Sequence, residues 1–237
     1  MENRDALEYL VNLGEKKEAI IELDQGTFSR VSLNRVTEPV ASKLTVSTLT
    51  GLVDYIKTNV DKLEGKLLIQ VKSPEEVTLY SPLNADRERE KYVSAEAILP
   101  NNVVYDRFLD TERFNIMLQS AFVDDEDKSK LLKYTALITD DTVKNFGDDG
   151  ISQKVTVKTG VVSVSDAVVP NPVTLAPFRT FPEVEQPESK FIFRMKEGPS
   201  AALFEADGGA WRNKAILNIK AYLEKELEHN HNVEIIA

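Results

Sequence analysis

Pro170, Pro172, Pro177, Pro182 and Pro187 fall within eighteen residues, and nothing else in the chain restricts the fold as much. Each proline lacks a backbone N–H and has a fixed φ, so the run admits neither a helix nor a central strand. Residues 169–189 are therefore expected to form an ordered, extended strap. Its own side chains must lay it over a surface, and it leads into the strand FIFRM (191–195). Two aromatic–arginine pairs, Phe178-Arg179 and Phe193-Arg194, sit in the strap and just after it.

Around the strap the apolar spacing switches between helix and strand periods. Leu7, Leu10 and Val11 recur at helical spacing over 5–14, with Gly14 placed to end the helix. Residues 19–23 and 27–36 read as strands. Ser47 can cap a helix over 47–63, whose apolar stripe is Leu49, Leu52, Val53, Ile56 and Val60. Strands over 66–71, 76–81 and 90–99 then suggest a meander that this helix covers.

Beyond a break at Pro100, Asp110 can cap a helix bearing Phe114, Met117, Leu118 and Phe122. The stretch DDEDK (124–128) places acid at the start of a second, short helix. Residues 145–150 read as a turn before one strand, 151–164, and FIFRM pairs with AALFEA (201–206) as a hairpin. Ala215, Ile216, Ile219, Tyr222, Leu223 and Leu227 give a helix over 210–227 its core face. Residues 232–236 suit an edge strand or pairing with another subunit.

These elements predict an α+β fold, with antiparallel β-sheets packed by amphipathic helices and the proline-rich strap between them. Subregions 1–100 and 101–237 would meet near Pro100, as two parts or as one unit. At 237 residues and 42% hydrophobic content, the chain can build one large core or two small ones.

Composition narrows the chemistry. A net charge of −10 opposes attraction to a phosphate backbone, so nucleic acid is not an expected partner. The absence of cysteine excludes disulfides, thiolate metal sites and a cysteine nucleophile. The first nineteen residues are charged throughout, and no apolar run approaches membrane-spanning length. A cytoplasmic protein without a signal peptide or membrane span is expected. No P-loop and no G-x-G-x-x-G motif occurs, so no cofactor is expected.

The candidate sites each carry a structural alternative. His229 and His231 belong to the polar stretch EHNHN, which reads as a solvated tail and not as part of a catalytic triad. Glu205 and Asp207 share a strand face and are weak magnesium candidates; equally, Asp207-Gly208-Gly209 can turn into a helix that Asp207 caps. Arg179, Arg194 and Arg212 lie beside Phe178, Phe193 and Trp211. Such arginines can grip an anion while a ring stacks on a base, or can serve as cation–π and ion-pair partners in ordinary packing. These six residues are the ligand-binding candidates.

One resemblance adds context. The order of FLDTERFNIMLQSAF (108–122), DDGISQKVTVKTG (148–160), the proline segment with its F-x-F-R strand (169–195) and ALFEADGGAW (202–211) is similar to that of the YfdQ-like prophage family. It covers roughly the C-terminal 130 residues. The resemblance implies a bacteriophage product acting in a bacterial host cytoplasm, and it brings no catalytic residues. A non-enzymatic, homo-oligomeric interaction or sequestering protein is expected, directed at a host protein such as a defence or signalling component. The alternative is a protein or enzyme that binds a nucleotide or another small anionic ligand.

Overall fold

A computed structural model of the chain describes residues 2–15, 20–23, 26–29, 40–84, 87–136, 143–148, 153–159, 163–168, 171–196, 198 and 200–237. The chain divides after Val40 into two compact units. The first holds helix α1 (Glu2–Glu15) and an antiparallel hairpin of β1 (Ile20–Leu23) with β2 (Gly26–Ser29). Gly14 does not end α1; the helix runs through it to Glu15. Residues 16–19 and 30–39, where parts of the two early strands were expected, lie outside the described residues.

The second unit starts with β3 (Leu44–Val46) and α2 (Leu49–Thr58). Thr48, not Ser47, is the N-cap: its Oγ1 accepts from Gly51 N at 3.1 Å. The helix also stops earlier than expected. Asn59 adopts the left-handed conformation at φ 45° and donates to the Tyr55 carbonyl, so Val60 is left exposed. The meander follows as β4 (Leu67–Ser73), β5 (Glu76–Tyr80) and β6 (Lys91–Glu96).

Next come β7 (Leu109–Asp110), α3 (Thr111–Ala121) and α4 (Glu126–Ala136). Asp110 Oδ1 caps α3 through Arg113 N at 2.9 Å. The expected turn and single strand at 145–164 are instead three antiparallel strands, β8 (Val143–Asp148), β9 (Gln153–Thr159) and β10 (Ser163–Val168). A period of two reads alike on both arms of a hairpin, so alternation alone did not reveal the reversal. The chain then runs through β11 (Val173–Leu175), the strap, β12 (Ser189–Lys196), β13 (Ser200–Glu205), α5 (Ala210–Glu226) and β14 (Val233–Ile236).

The result is an α+β fold with two principal sheets, each with its own core; the first is wholly antiparallel, and the second is antiparallel only in its central meander. One has the order β11-β12-β13-β7 and packs Val173, Leu175, Phe191, Phe193, Met195 and Leu203 against Phe114, Leu118 and Phe122. The other has the order β14-β4-β5-β6-β3, with its two edge strands parallel to their neighbours. Ile69, Val71, Val77 and Leu79 on one of its faces meet Leu52, Val53 and Ile56 of α2 and Ile219 and Leu223 of α5. Burying each such side chain stabilises by about 1.5–3 kcal/mol. The expected subregions 1–100 and 101–237 therefore do not separate, because α5 and β14 complete a sheet whose other strands precede residue 100.

The strap belongs to both cores. Val173 and Leu175 lie in the first, while Phe181 and Val184 lie in the second. β11 takes the edge of its sheet, where a neighbouring proline breaks no ladder.

Candidate functional site at the strap anchor

A proline-rich segment cannot satisfy its backbone within a helix or ladder, so side chains must do so. Gln186 does most of this inside the strap. Its Oε1 accepts from Arg179 N at 2.9 Å and Thr180 N at 3.2 Å, and its Nε2 donates to the carbonyls of Phe181 and Val184 at 3.0 and 3.3 Å. Outward contacts fix the strap's position. Thr180 Oγ1 donates to the Pro74 carbonyl at 2.6 Å, and the Glu185 carbonyl accepts from Asn218 Nδ2 at 3.0 Å. Glu183 Oε1 accepts from Thr50 N at 3.1 Å and so adds a second cap to α2. Asp127 of α4 takes Thr174 N at 2.9 Å, and that bond holds its carboxyl below the usual range.

Arg179 lies where the strap passes from one core to the other. It is buried, and its Nη1 donates to Glu205 Oε1 at 3.0 Å. Nη2 donates to the Pro187 carbonyl at 3.0 Å and to Ser189 Oγ. Ser189 Oγ in turn donates to Asp207 Oδ2 at 2.5 Å. The Arg179 guanidinium carbon stands 4.0 Å from the Trp211 ring centroid, and that of Arg212 stands 4.7 Å from the same ring. Strap, β12, β13 and α5 thus meet through one guanidinium.

The Asp-Gly-Gly turn aims the last two of these residues. Gly208 and Gly209 adopt φ of 63° and 80°, a region open to glycine, and a Cβ on Gly209 would strike the Arg212 guanidinium. Asp207 accepts from Gly209 N at 2.9 Å and from Trp211 N at 3.4 Å, but the N-cap residue of α5 is Gly209, two positions later than the expected Asp207. Burial pushes the Asp207 carboxyl up, but the Ser189 hydroxyl and these N–H groups outweigh it, and the net shift is downward. Two buried donors, Arg179 Nε and Trp211 Nε1, make no hydrogen bond.

The six ligand candidates divide. Arg179, Trp211 and Arg212 come together. Phe193 does not join them: it is fully buried in the first core, 5.6 Å from Phe114 and 6.2 Å from Tyr134 between ring centroids. Arg194, next along β12, alternates to the opposite sheet face, where its Nη1 donates to the Phe193 carbonyl at 3.3 Å. Phe178 is 39% exposed, and its N–H bonds to the Ala121 carbonyl at 2.9 Å. Glu205 and Asp207 are engaged by Arg179 and by N–H groups as described, and no group of three or more metal-ligating side chains occurs among the described residues. His229 is exposed and sits 3.3 Å from Glu228.

Sequence reasoning missed Ser189, Gln186 and Tyr105. Gln186 carried a usable signal, as an amide side chain among prolines whose neighbours need hydrogen-bond partners. Tyr105 stacks on Phe191 at 5.5 Å and feels Arg179, Glu205 and Asp207. Burial pushes its phenol up to about 12; Arg179 opposes the shift and the two carboxylates reinforce it. A phenol whose folded pKa is raised adds stability that is fully present below its unfolded pKa, about 10, and is lost as pH rises toward 12. Urea midpoints between pH 9 and 11 are therefore expected to fall less steeply for Tyr105→Phe than for the wild type. The difference should approach about 1.4 kcal/mol per pH unit, and equal slopes would refute it.

Comparison with protein-family models, curated proteins and solved structures finds no match in any of the three. The fold and site define an α+β protein with two sheet cores joined by a side-chain-anchored strap. No helix among the described residues is long and apolar enough to cross a membrane.

Proposed function

We propose that this chain is a non-enzymatic interaction protein that works as a homo-oligomer. Helix α1 carries the proposal. Leu7, Leu10 and Val11 form one stripe and are 62%, 64% and 56% exposed, with Leu13 beside them at 47%. A fourteen-residue helix is marginal in water alone and gains its stability by burying such a stripe. A second copy of α1 offers the matching surface. The proposed setting is a bacterial host cytoplasm, with a host defence or signalling protein as the target, as the expected resemblance to YfdQ-like prophage proteins implies.

Light scattering coupled to size-exclusion chromatography tests the assembly. The wild type is expected to elute at a multiple of 26.6 kDa, and Leu10→Glu with Val11→Glu is expected to elute as a monomer with unchanged β-sheet circular dichroism. A wild-type monomer at every concentration would exclude the proposal.

The alternative, an anionic or nucleotide ligand held by Arg179, Trp211 and Arg212, draws support from the two unbonded donors. Charge counts against it. Arg179 already faces Glu205 and Asp207, and it is fastened to the strap.

A further inference from the structure

β14 is an edge strand, and its outer edge is unpaired among the described residues. Leu67 N donates to the Asn232 carbonyl at 2.8 Å, and Val233 is in parallel register with Leu67. In a parallel ladder that register turns the backbone groups of Asn232, Glu234 and Ile236 toward β4, and those of Val233 and Ile235 outward. Val233 N bonds to the Asn230 carbonyl at 3.1 Å. The Val233 carbonyl and both polar groups of Ile235 therefore remain for a further strand.

Natural edges are guarded by proline, a bulge, shortness or a charged side chain. VEII has neither proline nor bulge; its guards are its four-residue length and the charge of Glu234, which repels acidic strands and attracts basic ones. A hollow of about 330 Å³ runs beside it, between the strand and the end of α5. Glu224, Glu228 and Glu234 border the hollow. Glu228 meets the exposed His229 at 3.3 Å, Glu234 the exposed Lys66 at 3.5 Å, and Glu224 the half-buried Lys220 at a long 3.8 Å. Weak surface pairs of this kind yield readily to a closer cation.

We infer that the β14 edge takes an extended segment of a partner protein, one that carries lysine or arginine at alternate positions. The segment pairs with Ile235 as a sixth strand and directs its basic side chains to the α5 face, against Glu224 and Glu228. The complementary charge selects a basic segment and opposes an acidic one, including a second copy of this strand with its own glutamate rim. The inference goes beyond α1-mediated assembly and does not depend on it.

The experiment uses the full chain and two short fluorescent peptides, one of alternating lysine and threonine, the other with glutamate in place of lysine. Fluorescence anisotropy is expected to show binding of the lysine peptide alone, weakening at high salt. The double variant Glu224→Gln, Glu228→Gln should lose about tenfold in affinity. Ile235→Pro removes the outward N–H, together with a side chain packed against the second core, and should abolish binding. Hydrogen exchange at the Ile235 amide should slow when the lysine peptide is added to the wild type. Equal binding of both peptides, binding of neither, or unchanged exchange at Ile235 overturns the inference. So does an Ile235 amide protected without peptide in an oligomer that Ile235→Pro dissolves, because a second copy would then occupy the edge. The α1 variants leave β14 intact, so failure at this edge is distinguishable from failure of the assembly.

Discussion

Replacing Arg179 with alanine is expected to destabilise the second unit by about 3 kcal/mol, the low end of the range for removing one partner of a buried charge pair, because Glu205 keeps some contact with water. The alanine leaves Glu205, the Pro187 carbonyl and Ser189 without their Arg179 donor, and strips the Trp211 ring of the closer of its two guanidinium groups. Because the strap spans both cores at this point, the loss is also expected to expose residues 177–187 to protease. Arg179→Lys should recover only part of the stability. An ammonium cannot fork to Glu205 and Ser189 while lying flat on an indole. Urea unfolding followed by circular dichroism measures both variants. A loss below about 1 kcal/mol for Arg179→Ala would mean that the anchor is dispensable and its guanidinium available for another role.

Phe193→Ala is expected to cost a similar amount, about 3–5 kcal/mol, but for a different reason. The side chain is fully buried between Phe114 and Tyr134, so its removal opens a cavity and deletes two aromatic contacts. Its measure is the urea midpoint, with Phe193→Leu as the milder control that refills most of the space. Were Phe193 a ligand contact, alanine would barely change the stability of the free protein. A near-wild-type midpoint would therefore return it to the candidate site.

These two variants show why neighbouring aromatic–arginine pairs met different fates. Phe178-Arg179 and Phe193-Arg194 look alike as dipeptides. In β12, alternation sends Phe193 into the core and Arg194 to the opposite face, so that pair is split. In the strap no ladder imposes alternation. Phe178 stays partly exposed, while Arg179 turns inward to the carboxylates of β13 and the turn before α5. Glu205 and Asp207 lie more than twenty-five residues from Arg179 in the chain, and no local rule brings them together.

Local patterning had its largest reach where one face is simply apolar. Periodicity marked α3, α5 and the meander, and Asp110 marked the start of its helix, because those signals come from residues within a turn or two. It failed at Asn59, where a left-handed residue cut α2 short, and at the hairpin of β9 with β10, whose two arms carry the same period of two.

The chain by itself determined that the proline run is neither helix nor central strand, since missing N–H groups and restricted φ act on each residue alone. Tertiary structure decided that the run joins two cores, that Arg179 is its anchor, and that β14 closes a sheet begun nearly two hundred residues earlier. The reason is that burial and charge pairing depend on which distant surfaces meet. Those meetings are set by the packing of the whole unit and not by the residues on either side.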